Sequence, residues 1–412
     1  MGHRPAIRAT HRGAAAEAVS VPQIKLQPNR NKRVAAGHPW VYSNEVTMDA
    51  ATKALPPGGI VEFRAADGAK LGVGSYHPHN LICGRIYAPG STVIDKAWYA
   101  KKIRTALALR EKLFTEPYYR LIHAEADGLP GLIVDRYGAH LTVQLNTAGM
   151  ELARDAVIAA LDAVIAPENI ILRNDSGARL LEGLAQEVTV AKGALPGRIT
   201  LHENNLRFIA DLAEGQKTGW FYDQRCNRAA VAALCRDARV LDVYTHTGGF
   251  ALNAAAAGAT QVTGIDASEL ALNCAAAAAK LNQLDARCLW DRGEAFALLA
   301  DYAARGEKFD VVIADPPAFI KSKKDLAAGA RGYRKLTKLA LGLVKPGGFF
   351  FLASCSHHME LGNLAEQIAH GLHDAGREGQ VVQTLFAAPD HPVHPMLPES
   401  AYLKGQLLRV TG

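Results

Sequence analysis

The chain of 412 residues is about three times as long as a typical domain, so two or three domains are expected. Hydrophobic residues make up 49% and charged residues 21%, values that are typical of a globular protein and exclude a disordered one. The net charge of +6 permits a polyanionic partner, and the lack of any run of roughly 18 apolar residues excludes a membrane-spanning helix.

The six cysteines are scattered, and none stands in a C-x-x-C pair or a His/Cys cluster at metal-ligand spacing. This pattern argues against disulfides and against a structural metal, and it favours a reducing, cytoplasmic environment. Residues 1–21 are basic and nearly free of acids, but they lack the apolar core of a secretion signal. We expect this segment to be a disordered tail.

The segment 22–95 alternates short β-rich runs with turn signals. Runs at 60–63 and 81–87 are rich in β-branched and aromatic residues, and Pro, Gly and Asn cluster at 56–59 and 77–80. The pattern predicts a small, mostly β domain.

The segment 96–200 mixes both kinds of pattern. Apolar residues at helical spacing over 96–114 predict a linking helix. Strands are predicted at 119–125, 131–138, 140–146 and 169–175, with an alanine-rich helix at 149–165. We therefore expect a central α/β domain.

From about residue 201 to 412, strands and helices alternate. Strands are predicted at 239–245, 261–266, 309–315 and 347–356, with helices between them and a last strand within 401–410. Such alternation predicts a parallel sheet covered by helices on both faces, the α/β fold class.

Two acidic residues and a glycine pair mark the first strand-to-helix turn of this sheet. Gly248 and Gly249 follow the strand that contains Asp242, and Asp266 closes the next strand. Glycines at such a turn allow a ligand close to the backbone, and an acid at the next strand end can bind ribose hydroxyls. The loop lacks G-x-G-x-x-G, so a nucleoside cofactor and a plain capped turn both stay open.

A second motif, Asp315-Pro316-Pro317-Ala318-Phe319, follows the strand at 309–315. Two prolines cannot continue a strand, so they fix a rigid turn where ligands bind in doubly wound sheets. We expect it to present an acidic oxygen and an aromatic face to a flat base, with a capped turn and a packing Phe as the simpler interpretation.

Cys355 lies in Ser354-Cys355-Ser356-His357-His358, at the end of a predicted strand beside Asp315. If the extended backbone continues, His357 lies on the same side as Cys355, where a cation would favour the thiolate. The other five cysteines are interpreted as inert core residues.

Basic residues are concentrated in two places. Seven of them lie between Lys321 and Lys338 against one acid, directly after the Asp-Pro-Pro turn, and a smaller group accompanies aromatic residues near the N-terminus. Such surfaces are typical of RNA backbone contacts. The predicted RNA-binding residues are Lys32, Arg33, Trp40, Lys321, Lys323, Lys324 and Arg331.

Several long stretches are characteristic when taken together: 31–46, 123–138, 215–228, 242–250, 315–325, 331–336, 354–358 and 401–405. The chain from about 24 to 412 thereby resembles the PUA-domain ribosomal RNA methyltransferases that make 5-methylcytidine in large-subunit rRNA, which are class I S-adenosylmethionine-dependent enzymes. The resemblance implies a PUA domain at 22–95, a central α/β domain at 96–200 and a Rossmann-like methyltransferase sheet at 201–412, with an antiparallel last strand.

The same resemblance implies S-adenosyl-L-methionine as cofactor. Its implied contacts are Phe221, Arg225, Asp242, Tyr244, Thr247, Gly248, Asp266, Ala267, Ser268, Glu294, Ala295, Asp315 and Pro316. Within this set Asp266 would hold the ribose and Glu294 the adenine, with Asp291 as the alternative. The resemblance also implies that the segment with Phe221, Asp223, Arg225 and Arg228 borders the cofactor pocket. Ribosomal RNA is the expected partner, with no membrane or metal partner and a homodimer as a candidate assembly.

Cys355 and Asp315 are the predicted catalytic residues. A thiolate added at carbon 6 of cytosine breaks the aromaticity and makes carbon 5 nucleophilic, while Asp315 binds the ring-nitrogen edge. Related enzymes carry a second cysteine where this chain has Ala318, and the sequence assigns no base for the carbon 5 proton. Two alternatives stay open, an RNA base N-methyltransferase that uses the Asp-Pro-Pro turn and a non-catalytic RNA-binding assembly factor.

Overall fold

The computed structural model describes residues 21–213, 215 and 218–411. The predicted tail lies outside these ranges except for Val21. Within them the chain forms three consecutive sheet domains, in agreement with the α/β fold expected from the sequence. None of the described helices combines the length and hydropathy that crossing a bilayer requires.

The N-terminal domain is a five-stranded sheet with the order β1-β3-β4-β5-β2. Its elements are β1 (Gln23–Lys25), α1 (Lys32–Ala35), β2 (Trp40–Tyr42), α2 (Ala50–Lys53), β3 (Gly59–Arg64), β4 (Lys70–Tyr76) and β5 (Ile82–Ala88). Apart from the parallel β1–β3 pair, the strands run antiparallel. Ile24, Val41 and Phe63 form its core, so the β-rich expectation is confirmed.

The central domain begins with the predicted linking helix, α3 (Lys96–Leu113), which Asp95 caps by accepting a hydrogen bond from the Trp98 amide at 2.8 Å. Its other elements are β6 (Tyr118–His123), β7 (Leu132–Tyr137), β8 (His140–Leu145), α4 (Ala148–Leu152), α5 (Arg154–Ile165), β9 (Asn169–Asn174), α6 (Ala178–Leu181) and β10 (Glu187–Lys192). The sheet order is β10-β9-β8-β7-β6. Tyr87 of the first domain stacks on Trp98 at 5.8 Å, so the two domains share one core.

A hairpin of β11 (Arg198–Glu203) and β12 (Leu206–Asp211) joins the central domain to the last one. Its apolar face, Leu201 and Phe208, packs with Tyr137 of the central sheet and with the core of the last domain. The domain division placed after residue 200 therefore falls inside β11.

The C-terminal domain is a seven-stranded sheet with the order β15-β14-β13-β16-β17-β19-β18. Its elements are α7 (Arg225–Ala232), β13 (Arg239–Val243), α8 (Gly249–Ala256), β14 (Gln261–Asp266), α9 (Glu269–Leu281), β15 (Cys288–Arg292), α10 (Ala295–Ala304), β16 (Phe309–Ala314), α11 (Leu326–Leu343), β17 (Val344–Ser354), α12 (Leu361–Asp374), β18 (Gly379–Phe386) and β19 (Lys404–Val410). The first five strands in this order are parallel, and β19 is antiparallel to both neighbours, as the resemblance implied.

The strand order reverses between β13 and β16, because chain connections leave this pair in opposite directions. In open α/β sheets the carboxyl ends of such a pair border the ligand crevice. The loops that follow these two strands contain Tyr244 and Asp315. The fold thus brings the first two sequence motifs to one edge.

Candidate active site

A cavity of about 790 Å³ opens at the carboxyl ends of the parallel strands and is bounded by all three domains. The N-terminal domain contributes Trp40, and the central domain contributes His123 and Glu125. The C-terminal domain supplies most of the wall, including Asp315 and Cys355. A ligand in this cavity would therefore contact every domain of the chain.

The loop after β13 is held in an unusual backbone conformation. Tyr244 (φ 65°), His246 (φ 52°) and Gly248 (φ 82°) all lie in the left-handed region, which costs the two non-glycine residues of order 1–3 kcal/mol each. Surrounding contacts maintain the loop, since the Thr245 amide donates to Ile265 O at 3.0 Å and the Gly248 amide to Thr245 O at 2.9 Å. The turn presents Tyr244, Thr245 and His246 to the cavity.

Asp242 supports this loop from below. It is fully buried, and its Oδ2 accepts hydrogen bonds from Thr245 Oγ1 at 2.6 Å and from the Ala251 amide at 2.9 Å. Its Oδ1 is buried and has no hydrogen-bond partner among the described residues. Burial raises the pKa of Asp242 to about 6. The residue fixes the turn and does not line the cavity.

Asp266 ends β14 with its carboxylate at the cavity wall. Oδ2 accepts a hydrogen bond from the His246 amide and Oδ1 one from the Ser268 amide, both at 2.9 Å. Each carboxylate oxygen can accept a second hydrogen bond, so a diol could donate to both. Ser268 itself caps α9, accepting from the Ala271 amide at 3.2 Å.

The wall next to Asp266 is formed by the turn between β15 and α10. Gly293, Glu294 and Ala295 line the cavity, as does Phe221, whose ring lies edge-on to His246 at 5.1 Å. The alternative acid, Asp291, instead accepts a hydrogen bond from the Tyr302 hydroxyl on the far side of the strand end. The geometry favours Glu294 over Asp291 as the residue at this end of the cavity.

The structure brings together most, but not all, of the predicted cofactor residues. Those that line the cavity are Phe221, Tyr244, Asp266, Ala267, Glu294, Ala295, Asp315 and Pro316. Thr247 and Ser268 face a small neighbouring cavity of about 40 Å³, and Gly248 caps α8 without lining the main cavity. Arg225 is placed elsewhere, with its guanidinium stacked on Phe114 at 4.4 Å and Nε 3.6 Å from Glu203.

Arg228 lines the cavity, and the resemblance had placed it in a segment that borders the pocket without naming it as a cofactor contact. Its Nη1 donates to Glu203 Oε1 at 2.6 Å, and its guanidinium lies 4.3 Å from the Trp220 ring centroid. Its buried Nε has no hydrogen-bond partner among the described residues. The stretch 215–228 contains two arginines three residues apart, and only the fold shows that the second one faces the cavity.

The Asp-Pro-Pro turn presents Asp315 and both prolines to the cavity, whereas Phe319 is not among the residues that line it. The Phe319 ring packs 4.8 Å from Tyr333 and 6.3 Å from Phe296. The expectation of an aromatic face for a bound base is therefore wrong, because α11 and α10 offer the ring an apolar site. The packing interpretation holds for Phe319.

Cys355 follows directly after β17, between two anchored serines. The Tyr333 hydroxyl lies 2.8 Å from Ser354 Oγ and 3.1 Å from Ser356 Oγ, and the Ile320 amide donates to Ser356 Oγ at 3.3 Å. The strand ends at Ser354, so the extended backbone assumed for Cys355 and His357 does not continue. Both residues nevertheless line the cavity.

The remaining cysteines lie outside this cavity. Four of them are buried, as expected for core residues, but Cys226 is exposed, so the core interpretation is wrong for this residue. Burial raises the pKa of Cys83 and of Cys235 to about 12, which disfavours their thiolates. All six cysteines belong to the described residues, and Cys355 alone meets the ligand space.

A buried lysine braces the backbone on either side of this region. Lys404 Nζ donates to Ser356 O at 2.6 Å and to Tyr402 O at 2.8 Å. Burial lowers the pKa of Lys404 to about 8, and the neighbouring Cys355 sulfur opposes that shift. Lys404 is paired in register with Ser354 across β17 and β19, and the electrostatic effect of the Cys355 sulfur on the Lys404 ammonium indicates that the two groups lie near each other.

A group of imidazoles and a tyrosine forms the part of the wall that faces the central domain. His123 lies 4.9 Å from His391 and 6.3 Å from Tyr402, and His357 lies 5.5 Å from Tyr402, measured between ring centroids. The Tyr402 hydroxyl donates to Asp223 Oδ2 at 2.5 Å. The sequence pointed only to His357, beside Cys355, and to Asp223, at the border of the cofactor pocket. His123, His391 and Tyr402 were not predicted, because they come from distant segments.

The predicted RNA-binding residues fall into two groups. Lys321, Lys323, Lys324 and Arg331 are exposed, and none of them forms an ion pair with a described residue, as expected for a surface that meets phosphates. Lys32 is also exposed, whereas Arg33 pairs with Glu45 at 3.0 Å. Trp40 lies on the cavity wall and donates from Nε1 to Glu125 Oε1 at 2.8 Å.

Comparisons with known proteins match this architecture. The model of the S-adenosylmethionine-dependent methyltransferase family matches residues 192–409, and a PUA-like domain model matches residues 24–89. Proteins named ribosomal RNA large subunit methyltransferase I are 36% identical in Pseudoalteromonas atlantica, 38% in Shewanella denitrificans and 37% in Salmonella arizonae. Each comparison covers 94% of this chain and 98–99% of the relative.

Solved structures share the fold at low sequence identity. "A putative sam-dependent methyltransferase from Streptococcus mutans" has a TM-score of 0.80 at 19% identity, over 94% of this chain and 100% of its own. The structure described as "Crystal structure of SMU.776, a putative methyltransferase complexed with SAH" has a TM-score of 0.81 at 19% identity with the same coverage. These values show that both solved structures share the fold of this chain.

The residues of the cavity fit S-adenosylmethionine. Asp266 has room for two ribose hydrogen bonds, and Asp266, Glu294 and Asp315 give the wall the carboxylates that suit a ligand with positive charge. In the described residues no group of His, Cys, Asp or Glu is arranged to hold a metal ion.

Proposed function

The chain belongs to the S-adenosylmethionine-dependent methyltransferase family, and from this we propose that it methylates carbon 5 of a cytosine in large-subunit ribosomal RNA. We further propose that the reaction passes through a covalent bond between Cys355 and the RNA base. The observation that carries this proposal is the position of Cys355, which faces the same cavity as Asp315 and Asp266.

The choice of RNA as substrate is supported by relatives and by charge. The relatives at 36–38% identity are named for large-subunit ribosomal RNA, and they match the chain along nearly its whole length. Lys321, Lys323, Lys324 and Arg331 follow the Asp315 turn with exposed side chains. A strand whose base enters the cavity would pass these cations. We propose a cytoplasmic location, because ribosomal RNA is made and assembled in the bacterial cytoplasm.

The cofactor would be held by Asp266, Glu294, Phe221 and the loop at 244–249, and it supplies an electrophilic methyl group on a positively charged sulfur. Carboxylates on the cavity wall favour that positive charge before transfer. The strained loop is fixed by hydrogen bonds within the protein, so little ordering remains to be done when the cofactor binds.

Cys355 performs the step that makes carbon 5 reactive. Its thiolate forms a bond to carbon 6, and the electron pair of the carbon 5–carbon 6 double bond moves toward the ring nitrogen edge. Carbon 5 then takes the methyl group, loses its proton to a base, and the double bond re-forms as the thiolate leaves. One methyl group is gained and one proton is lost, and the cysteine is regenerated.

Three features of the site prepare the attack of Cys355 on the base. The Lys404 ammonium lies next to Cys355 and favours the thiolate over the thiol. Asp315, fixed by two prolines, can accept or share the proton on the ring-nitrogen edge of the base. Ser354 and Ser356 restrain the backbone on both sides of the sulfur, so the nucleophile is positioned before substrate arrives.

Trapping with a fluorinated base tests the proposal. Large-subunit rRNA transcribed with 5-fluorocytidine should form a denaturation-resistant complex with the enzyme and S-adenosylmethionine, because fluorine cannot leave as a proton does. Cys355→Ala should form no complex while it still binds cofactor. Cys226→Ala, which removes an exposed cysteine outside the cavity, should be trapped like the unmodified enzyme.

Two results would overturn the proposal. Normal methylation by Cys355→Ala would show that the thiol is not the nucleophile and would favour N-methylation of a base amine. Failure of the folded protein to bind S-adenosylmethionine in calorimetry would instead favour a non-catalytic RNA-binding factor.

A further inference from the structure

Cytosine methylation at carbon 5 needs a base that removes the carbon 5 proton, and neither Cys355 nor Asp315 has that role. We infer that His391, oriented by Asp390, accepts this proton. The inference rests on the proposed function. Both residues lie in the loop between β18 and β19, which closes the cavity from the side of the central domain.

Asp390 is built into the protein as a fixed carboxylate. It is fully buried, its Oδ2 accepts from the Arg120 amide at 3.0 Å, and its carbonyl accepts from Arg110 Nη2 at 2.9 Å. Burial works to raise the pKa of Asp390, but the adjacent His391, the charge of Arg225 and the hydrogen bond from the Arg120 amide lower it overall. The residue therefore remains an anion that ties the loop to the central domain.

The remaining oxygen of this carboxylate orients His391. Asp390 Oδ1 lies 2.9 Å from His391 Nδ1, so the proton of the neutral imidazole is held on Nδ1. The lone pair is then on Nε2, and no described residue hydrogen-bonds to that atom. A carboxylate on Nδ1 and a free Nε2 is the arrangement in which a histidine acts as a general base and is stabilised when it becomes charged.

The surroundings favour His391 over its neighbours as the base. The groups that face it are Asp390, His123 and Tyr402, with Arg110 and Arg120 behind the carboxylate. Burial, with His391 and two arginines nearby, lowers the pKa of His123 well below its ordinary value, so His123 is a poor acceptor. Burial and Asp223 raise the pKa of Tyr402 well above its ordinary value, so this phenol stays protonated.

In the proposed step, carbon 5 carries both the new methyl group and its original hydrogen, while Cys355 is bonded to carbon 6. His391 Nε2 takes the hydrogen as a proton, directly or through one water molecule. The electrons of the broken C–H bond form the carbon 5–carbon 6 double bond, and the C–S bond breaks to return the thiolate. His391 becomes an imidazolium beside Asp390 and passes its proton to solvent.

The distinguishing experiment uses ordinary, unmodified large-subunit rRNA transcript and S-adenosylmethionine with a labelled methyl group. Without the base, methyl transfer is completed but the cysteine cannot leave. His391→Ala should therefore transfer about one methyl group per enzyme and accumulate it in a denaturation-resistant enzyme–RNA complex. Turnover beyond the first methyl should fall at least about 100-fold, the scale of general-base catalysis.

Three variants control this result. Asp390→Asn should show the same accumulation with a smaller loss of turnover, because the imidazole keeps its place but loses its orienting anion. His394→Ala changes a histidine of the same loop that does not line the cavity, and it should turn over without accumulating a complex. His391→Gln repeats the test with a polar residue in case the alanine variant folds poorly.

The outcomes are separable. Turnover of His391→Ala and His391→Gln at the normal rate without a complex would refute the role of His391, as would accumulation with His123→Ala or His357→Ala alone. If the unmodified enzyme itself forms no adduct with 5-fluorocytidine RNA, the proposed function fails and the inference about His391 fails with it. Trapping of His391→Ala on fluorinated RNA confirms that the variant is folded and that its Cys355 still adds to carbon 6 of the base.

Discussion

Replacing Asp266 by alanine should weaken the binding of S-adenosylmethionine by about 1.5–3 kcal/mol, a roughly 10- to 150-fold rise in the dissociation constant. The magnitude follows from the geometry of the carboxylate. Its two oxygens each accept one backbone amide at 2.9 Å, from His246 and Ser268, and each keeps one acceptor position for a ribose hydroxyl. Hydrogen bonds to a charged acceptor contribute on this scale.

Isothermal titration calorimetry of the full chain with S-adenosylmethionine, or with its demethylated product, measures the change. Glu269→Ala is the matched control, because it removes the same charge three residues away, from an exposed pair with Arg292. Its affinity should equal that of the unmodified protein. Unchanged affinity in an Asp266→Ala variant that keeps its melting transition would refute the assignment of Asp266 to the ribose.

Three further predictions concern the RNA surface, the buried acid and the buried lysine. Neutralising Lys321, Lys323 and Lys324 together should weaken RNA binding for all sequences and leave cofactor affinity unchanged. The slope of log binding constant against log salt concentration should flatten by up to about 0.7 for each lysine. An unaltered slope in a filter-binding titration would show that these lysines are only solvated. Burial raises the pKa of Asp242 from 3.8 to about 6, so the folded state keeps a proton that the unfolded state loses. The stability of the cofactor-free protein should therefore fall by about 2 kcal/mol as the pH rises from 4 to above 6, relative to Asp242→Asn. If the free energies of urea unfolding of the two proteins change equally with pH over that range, the raised pKa of Asp242 is contradicted. Lys404→Met should raise the pH midpoint of Cys355 alkylation by about one unit or more, because a nearby cation favours the thiolate. Peptide mass spectrometry measures this midpoint, with the exposed Cys226 as internal reference. An unmoved midpoint would count against the role of Lys404.

Local patterns predicted the architecture well. The helix at 96–114 appears as α3, and the predicted strands at 261–266 and 309–315 appear as β14 and β16. These elements combine strong periodicity with clear caps or turns, as Asp95 and the two prolines after Asp315 illustrate. Residues that end parallel strands were expected at one sheet edge, and Asp266 and Asp315 do line one cavity.

The errors have a common physical origin in tertiary packing. Phe319 does not line the cavity, because its ring packs against Tyr333 of α11 and Phe296 of α10. The sequence of a turn does not show where the neighbouring helices lie. Arg225 and Arg228 are indistinguishable in a local pattern, yet Arg225 stacks on Phe114 of the central domain while Arg228 faces the cavity.

The imidazole cluster could not be foreseen from spacing. His123 and His391 are brought together by contacts between the central domain and a loop near the chain end, where Asp390 binds Arg110 and Arg120. No local signal links residues so far apart. The hydrogen bond between Trp40 and Glu125 could not be predicted for the same reason, since it joins two domains.

The identity of the methylated nucleoside distinguishes methylation at carbon 5 of cytosine from methylation at a base amine. Unmodified large-subunit rRNA transcript is incubated with the enzyme and S-adenosylmethionine, digested to nucleosides and analysed by chromatography with mass spectrometry against 5-methylcytidine and N4-methylcytidine standards, which share one mass but elute separately. The account predicts 5-methylcytidine with the unmodified protein and none with Cys355→Ala. An N-methylated product, or 5-methylcytidine formed at the normal rate by Cys355→Ala, would contradict it.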